Sequence, residues 1–149
     1  MGFLPGTEQE KMEVYERPYT SIVNSIVGRG DAYEVLKSRR MVTFESSSFL
    51  RGVTYDDSIL IVDEFQNMTD GELNTIITRV GENTRIMLCG DINQSDLNRE
   101  ESGFRDIKRI VDAMPKHFST IEMDIDDIVR SGLVRDYIIA KENLKAKKS

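Results

Sequence analysis

Two adjacent carboxylates, Asp63 and Glu64, follow directly after a short apolar run. The run, residues 59–62, is rich in β-branched side chains and is typical of a buried strand in a parallel sheet. Ligands of open parallel sheets bind just beyond the carboxyl ends of the strands, so we expect both acids in a crevice. One carboxylate can hold Mg²⁺ bound to phosphates, and the other can act as a general base toward water. The pair alone also fits helix caps or solvated loop residues.

A second apolar run, residues 85–89, also ends in a polar tip. Gly90, Asp91 and Gln94 follow it in the order Gly-Asp-x-x-Gln. This arrangement resembles the phosphate-sensing strand of helicase-like ATPases, where a glutamine amide contacts the γ-phosphate or the attacking water. The glycine would let the backbone approach the ligand closely. The alternative is that Asp91 only helps to form a turn.

Predicted helices and strands alternate along the rest of the chain. Periodic apolar spacing predicts helices at residues 12–26 (divided at Pro18), 31–36, 70–80, 104–114 and 126–144, the last with a break near residue 131. A capping box at Thr69 and Glu72 opens the third helix. Further strands are predicted at 41–45 and 118–123. This alternation indicates an α/β fold with a parallel sheet of about three to four strands flanked by helices.

Composition restricts the class of protein. The 149 residues suffice for one domain with its own core, and 39% of them are apolar. No run approaches the roughly 20 apolar residues of a membrane span, and no secretion signal is evident, so we expect a cytoplasmic protein without a membrane partner. The net charge of −6 disfavours a dedicated nucleic-acid binder, although the tail at 141–149 is basic. The single cysteine, Cys89, is expected to be a buried small hydrophobe.

Taken together, these motifs resemble the PhoH-like family of P-loop ATPases. The motifs that carry the resemblance are Gly2-Phe3-Leu4-Pro5-Gly6, Leu50-Arg51-Gly52-x-Thr54, Asp63-Glu64-Phe65-Gln66-Asn67, Thr78-Arg79-Val80-Gly81, Gly90-Asp91-Ile92-Asn93-Gln94, Ser102-Gly103 and Asp127-Ile128-Val129-Arg130-Ser131-Gly132-Leu133-Val134. The resemblance implies that residues 1–140 are the C-terminal portion of a PhoH-like ATPase domain and that 141–149 are a basic tail. The family is linked by name to phosphate starvation and is frequent in bacteriophage genomes. Relatives fused to ribonuclease domains are associated with RNA unwinding.

The resemblance also implies roles for individual residues. Asp63 would bind Mg²⁺, Glu64 would activate water, and Gln94 would sense the γ-phosphate of ATP. Asp63, Gln66, Asp91 and Gln94 would form the nucleotide-binding set. These roles make ATP and Mg²⁺ the expected cofactors.

Three arginines match family positions. Arg130 would reach a phosphate, in its own chain or in a neighbouring subunit of a homo-oligomer, and there stabilise developing charge. An ion pair on a helix surface with Asp126 or Asp127 is the alternative for Arg130. Structural or solvated roles are equally open for Arg51 and Arg79.

The departures from the family pattern concern activity. Phe65 replaces a usually small residue and is expected to crowd the site, and Val53 replaces a usual arginine. The chain contains no Gly-x-x-x-x-Gly-Lys-Ser/Thr loop, whose backbone and lysine hold phosphates. We therefore expect a fold that lacks the phosphate-loop strand, an exposed sheet edge, and a need for a partner that carries the loop. The alternative is a non-enzymatic interaction module or inactive remnant that binds a protein through that edge; RNA binding is only weakly supported.

Overall fold

A computed structural model describes residues 8–46, 52–91 and 104–146. The chain forms two compact units, Met1–Lys108 and Arg109–Ser149. The helices and strands of the described residues, in chain order, are α1 (Glu8–Val27), α2 (Ala32–Ser38), β1 (Ile59–Val62), a 3₁₀ turn (Phe65–Asn67), α3 (Asp70–Ile77), β2 (Arg85–Leu88), α4 (Phe104–Ala113), a second 3₁₀ turn (Ile125–Asp127) and α5 (Gly132–Ala146).

The two predicted acidic and sensor strands form a parallel pair. Ile59 of β1 lies opposite Arg85 of β2, and Val62 lies opposite Leu88. The connection between the two strands contains α3, as a parallel crossover requires. An α/β fold with a small parallel sheet and flanking helices is thereby confirmed.

Helix α3 begins at the predicted capping box. The Thr69 backbone N–H donates to the Glu72 carboxylate at 2.9 Å, and the Glu72 N–H donates to the Thr69 hydroxyl at 3.3 Å. Leu73 and Ile76 on this helix are buried, and Ile76 packs with Val62 in the core cluster of the sheet. The half-buried side chains around that cluster are those of Tyr55, Phe65, Met68, Ile86 and Leu88.

The opposite face of the sheet is exposed. Side chains alternate between the two faces of a strand, so Ile59, Ile61 and Met87 point away from the core cluster. They are 66%, 63% and 46% exposed, whereas Val62 is 7% exposed. We call these three residues the exposed sheet face. The prediction of strands buried on both faces was therefore wrong, and so was that of a buried Cys89, which is exposed.

Helix α1 runs without interruption through Pro18, so the predicted division of this helix was wrong. Proline lacks the N–H of an interior helical hydrogen bond, and packing of α1 against the rest of the unit must offset that loss. The helix ends at Val27, one residue beyond the predicted end, and Gly28 follows with a φ of 74°, in the left-handed region. Its N–H donates to the Asn24 carbonyl at 3.0 Å, which closes the last turn.

A buried carboxylate joins α1 to α2. Glu16 accepts hydrogen bonds from the Tyr33 hydroxyl at 2.6 Å and from the Lys37 ammonium at 2.7 Å. Burial acts to raise the pKa of Glu16, but the hydrogen bonds from Lys37 and Tyr33 outweigh it and hold the pKa below its ordinary value. At neutral pH the ionised Glu16 therefore links α1 to α2 through the Tyr33 hydroxyl and the Lys37 ammonium.

The strands predicted at 41–45 and 118–123 are not formed. The Phe44 ring packs on Tyr19 of α1 at 5.5 Å between centroids instead of joining a ladder. In the second unit Ile121 and Met123 are exposed, so the side of the segment that carries them is not packed. A strand needs a hydrogen-bonded neighbour, and apolar pattern alone does not supply one.

The second unit contains the predicted break before the closing helix. A short 3₁₀ turn, Ile125–Asp127, precedes α5, which begins at Gly132. Among the described residues, no helix is both long and apolar enough to cross a bilayer.

Candidate functional site

The acid pair lies directly beyond the carboxyl end of β1, and both side chains are exposed. Glu64 adopts the left-handed conformation, with φ 54° and ψ 33°. Its N–H donates to the Asp63 Oδ1 atom at 3.0 Å. A non-glycine residue in this region is strained, and such strain often accompanies functional sites. The turn at Glu64 therefore places the backbone N–H of this residue where it holds the Asp63 carboxylate by a hydrogen bond.

Gln66 connects the tips of the two strands. Its side chain is buried, with 1% exposed. The Nε2 group donates to the Glu64 Oε2 atom at 2.5 Å, and the Oε1 atom accepts from the Asp91 backbone N–H at 3.2 Å. Both ends of the amide are thus used inside the protein, and Gln66 holds the Glu64 carboxylate against the loop that follows β2. Its predicted contact with nucleotide stays a prediction.

Gly90 lies in close contact with the side chains of Gln66 and Phe65. A Cβ atom at Gly90 would lie 2.2 Å from Gln66 Oε1 and 2.8 Å from Phe65 Cδ1. Because Gly90 has no side chain, it leaves room for the Gln66 and Phe65 side chains that follow β1. The sequence alone did not indicate this role. Phe65, which was expected to crowd the site, packs its half-buried ring against the core cluster. Its N–H also donates to the Cys89 carbonyl at 3.2 Å, so the two tips share backbone hydrogen bonds.

A residue from α1 completes the surroundings of the first acid. The Tyr19 hydroxyl donates to the Asp63 Oδ2 atom at 2.6 Å across 44 positions of the chain. Burial, together with the hydrogen bond to Asp63, raises the pKa of Tyr19 to about 12, so the phenol stays protonated at neutral pH. The sequence did not indicate this role for Tyr19, because the apolar spacing of a helix gives no information about long-range polar partners.

The other predicted site residues are placed as follows. Asp91 is exposed at the end of β2. Arg130 lies in the second unit, exposed in the loop before α5, while Asp126 pairs with Arg135 at 3.5 Å. Arg79 is half-buried, and its buried Nε atom has no hydrogen-bond partner among the described residues. Gln94 and Arg51 lie outside the described residues.

The acid pair suits Mg²⁺ only when other groups complete the coordination. No group of three or more His, Cys, Asp or Glu side chains that could hold a metal occurs in ranges 8–46, 52–91 and 104–146. Protein sites for Mg²⁺ bound to nucleotides commonly use one or two carboxylates and leave the remaining positions to phosphates and water. Within the described part of the chain, each oxygen of Asp63 accepts one hydrogen bond, and a carboxylate oxygen has a second lone pair that can bind a cation or its water.

The fold and the strand tips define the class of protein. A parallel strand pair with an acid pair at its carboxyl end is consistent with part of a P-loop NTPase-like α/β fold. The model of the PhoH family, described as PhoH-like protein, matches residues 1–142, and the chain belongs to this family.

Curated relatives agree with that assignment. The chain is 34% identical over 141 residues to the PhoH-like protein of Bacillus subtilis (strain 168), which covers 94% of this chain and 44% of the relative. It is 30% identical over 141 residues to the PhoH-like protein of Mycobacterium leprae (strain TN), over 94% and 40% of the two chains. It is 35% identical over 100 residues to Protein PhoH of Escherichia coli (strain K12), over 66% and 28%. The chain therefore spans less than half the length of these relatives.

Proposed function

We propose that this chain carries the magnesium-binding and water-activating half of a PhoH-like ATPase site. The supporting observation is the link between the two strand tips: Gln66 bonds to Glu64 on one side and to the Asp91 backbone on the other. A buried amide that holds an exposed carboxylate in place is the arrangement expected of a preorganised site. A loop residue at an ordinary strand end does not need a buried side chain to fix its orientation.

Each carboxylate has its own part in this proposal. Asp63, at the end of β1, would hold Mg²⁺, which would supply positive charge to the phosphates of ATP. Glu64 orients and deprotonates the attacking water, a step in which a positioned base contributes about 10²–10⁴-fold. Gln94 senses the γ-phosphate, Asp91 belongs to the same nucleotide-binding loop, and Arg130 stabilises charge on the transferred phosphoryl group, in the same chain or in a second copy.

The phosphate-binding loop comes from outside these 149 residues, either from a separate chain or from a longer form of this one. The chain has no glycine-rich loop with Lys-Ser/Thr, and it spans 44% of the Bacillus subtilis relative. Among the described residues β2 pairs only with β1, so its other edge can pair with a strand of the segment that carries the loop. Docking there would bring the loop to the carboxyl ends of the strands.

Titration of fluorescent ATP with Mg²⁺ tests the proposal. The chain alone should bind no nucleotide in the micromolar range, and addition of a polypeptide that carries a strand, glycine-rich loop and Lys-Thr should create such binding. Asp63→Asn should remove its Mg²⁺ dependence, whereas the matched change Asp112→Asn, at an exposed acid of α4, should not. Micromolar binding by the chain alone, or an Asp63→Asn chain that behaves as the wild type, would contradict the proposal.

The exposed sheet face also favours a second function, that of a non-enzymatic interaction module. In that case Asp63→Asn and Glu64→Gln would leave the biological effect of the protein unchanged. Ile61→Thr would abolish partner binding, because it places a hydroxyl in the centre of the exposed sheet face. Loss of the effect in the two acid variants would exclude this alternative.

A further inference from the structure

We propose that Tyr19 is a positioning residue for the divalent cation, because its hydroxyl orients the carboxylate of Asp63. The inference rests on the proposed function, since it assigns a cation to Asp63. The carrying observation is the 2.6 Å hydrogen bond from the Tyr19 hydroxyl to Asp63 Oδ2. It joins helix α1 to the end of β1, two elements that are far apart in the chain.

Asp63 is held from two directions. The Glu64 N–H fixes Oδ1 at 3.0 Å, and the Tyr19 hydroxyl fixes Oδ2 at 2.6 Å. Two donors on different oxygens restrict rotation of the carboxyl group about its Cβ–Cγ bond. A cation then meets a ligand that is already oriented, and loss of such an outer partner typically costs 10–100-fold in metal affinity or activity.

The type of donor also matters. A tyrosine hydroxyl donates a hydrogen bond without bringing a positive charge, so Asp63 keeps its full attraction for a cation. A lysine or arginine at position 19 would form an ion pair and weaken that attraction. The 2.6 Å distance lies within the range of about 2.5–2.7 Å for hydroxyl donors to carboxylates.

Tyr19 is itself held in place. Tyr19 lies inside the 20-residue helix α1. Its ring packs on the Phe44 ring, with 5.5 Å between the centroids and an angle of 37° between the ring planes. Tyr19→Phe keeps the ring and this contact and removes only the hydroxyl. The substitution therefore separates orientation of the carboxylate from packing of the helix.

Mn²⁺ serves as the probe, since it binds at carboxylates as Mg²⁺ does and broadens nearby amide resonances. In the full chain, Mn²⁺ should broaden the amides of Asp63 and Glu64, and Tyr19→Phe should raise the Mn²⁺ concentration for half-maximal broadening by about tenfold. Tyr15→Phe, at an exposed tyrosine of the same helix, is the matched control and should leave the titration unchanged. Asp63→Asn should abolish the broadening.

The outcomes separate the two proposals. If Asp63→Asn abolishes broadening but Tyr19→Phe leaves it unchanged or tightens it, the inference about Tyr19 is overturned and the cation site at Asp63 stands. If Asp63→Asn broadens like the wild type, the cation role and the inference fall together. A Tyr19→Phe chain whose amide resonances shift throughout residues 59–91 would show that the hydroxyl supports the fold, and this too would overturn a positioning role.

Discussion

Gly90→Ala tests the link between the two strand tips most severely. The new Cβ atom would lie 2.2 Å from Gln66 Oε1 and 2.8 Å from a Phe65 ring carbon. Side chains do not tolerate Cβ contacts under 3.0 Å, so one of the two residues must move. Gln66 is 1% exposed and Phe65 packs against the core cluster, so movement of either side chain disturbs existing packing.

The cost follows from what Gln66 would lose. Movement of its amide breaks the hydrogen bond from the Asp91 N–H, and a buried polar group left without a partner costs about 1–3 kcal/mol. Overpacking against Phe65 adds about 1–3 kcal/mol. We therefore expect Gly90→Ala to lower the free energy of unfolding by about 2–6 kcal/mol, measured by urea denaturation followed by circular dichroism.

Gly71→Ala provides the control for this experiment. Gly71 lies in the first turn of α3, and a Cβ atom there would meet nothing within 4 Å. Alanine should raise the free energy of unfolding by up to about 1 kcal/mol, because it is the better helix former. A Gly90→Ala chain as stable as the wild type would refute the reasoning, since Gln66 and Phe65 would then not be packed against residue 90.

Three further predictions concern the rest of the first unit. Glu16→Gln should lower the free energy of unfolding by about 1–2 kcal/mol at pH 7. Burial raises the pKa of Glu16, but the hydrogen bonds from Lys37 and Tyr33 hold it below its ordinary 4.5 in the folded chain. The stability difference between variant and wild type should therefore be complete above pH 4.5 and disappear as the pH falls through the folded pKa. A stability difference that persists in acid would contradict the buried pair. Pro18→Ala should raise the free energy of unfolding by about 2 kcal/mol in urea denaturation, since it restores a hydrogen bond inside α1, and a loss of stability would argue against a continuous helix. Val62→Ala should lower the free energy of unfolding by about 2 kcal/mol in the same assay, and Ile61→Thr by less than about 0.5 kcal/mol, because Val62 is buried whereas Ile61 is exposed. Equal losses of stability would mean that the exposed sheet face is covered.

Local signals in the sequence were sufficient for much of the fold. The capping box at Thr69 was predicted correctly, and α1 ends at Val27, one residue beyond its predicted end; both features are decided within one helical turn. The parallel pairing of β1 with β2 followed from two apolar runs separated by one helix. These features depend on neighbours in the chain, which the sequence shows directly.

Features that depend on distant partners were not predictable in this way. The strand expected at 41–45 failed because Phe44 packs on Tyr19 and no described strand lies beside it. The buried state expected for Cys89 required a covered sheet face, which apolar composition cannot guarantee. The role of Gly90 depends on where Gln66 and Phe65 turn after β1, and that turn includes the left-handed Glu64.

The candidate site divides in the same way. The acid pair was evident because Asp63 and Glu64 end an apolar run, and the structure places them exposed at the end of β1. The hydrogen bonds that orient them, from Tyr19 and Gln66, join residues whose types carry no pairwise signal. Recognition of ligand-type residues is thus a matter of sequence, whereas their preorganisation becomes visible only in three dimensions.

In the proposed function, Glu64 is the base of an ATPase site whose phosphate loop comes from outside these 149 residues. The most direct test of this role is single-turnover hydrolysis of Mg²⁺·ATP by the chain together with a loop-bearing segment, for the wild type and for Glu64→Gln. This role predicts that Glu64→Gln keeps ATP binding and lowers the hydrolysis rate by about 10²–10⁴-fold. A Glu64→Gln protein that hydrolyses ATP at the wild-type rate would contradict it.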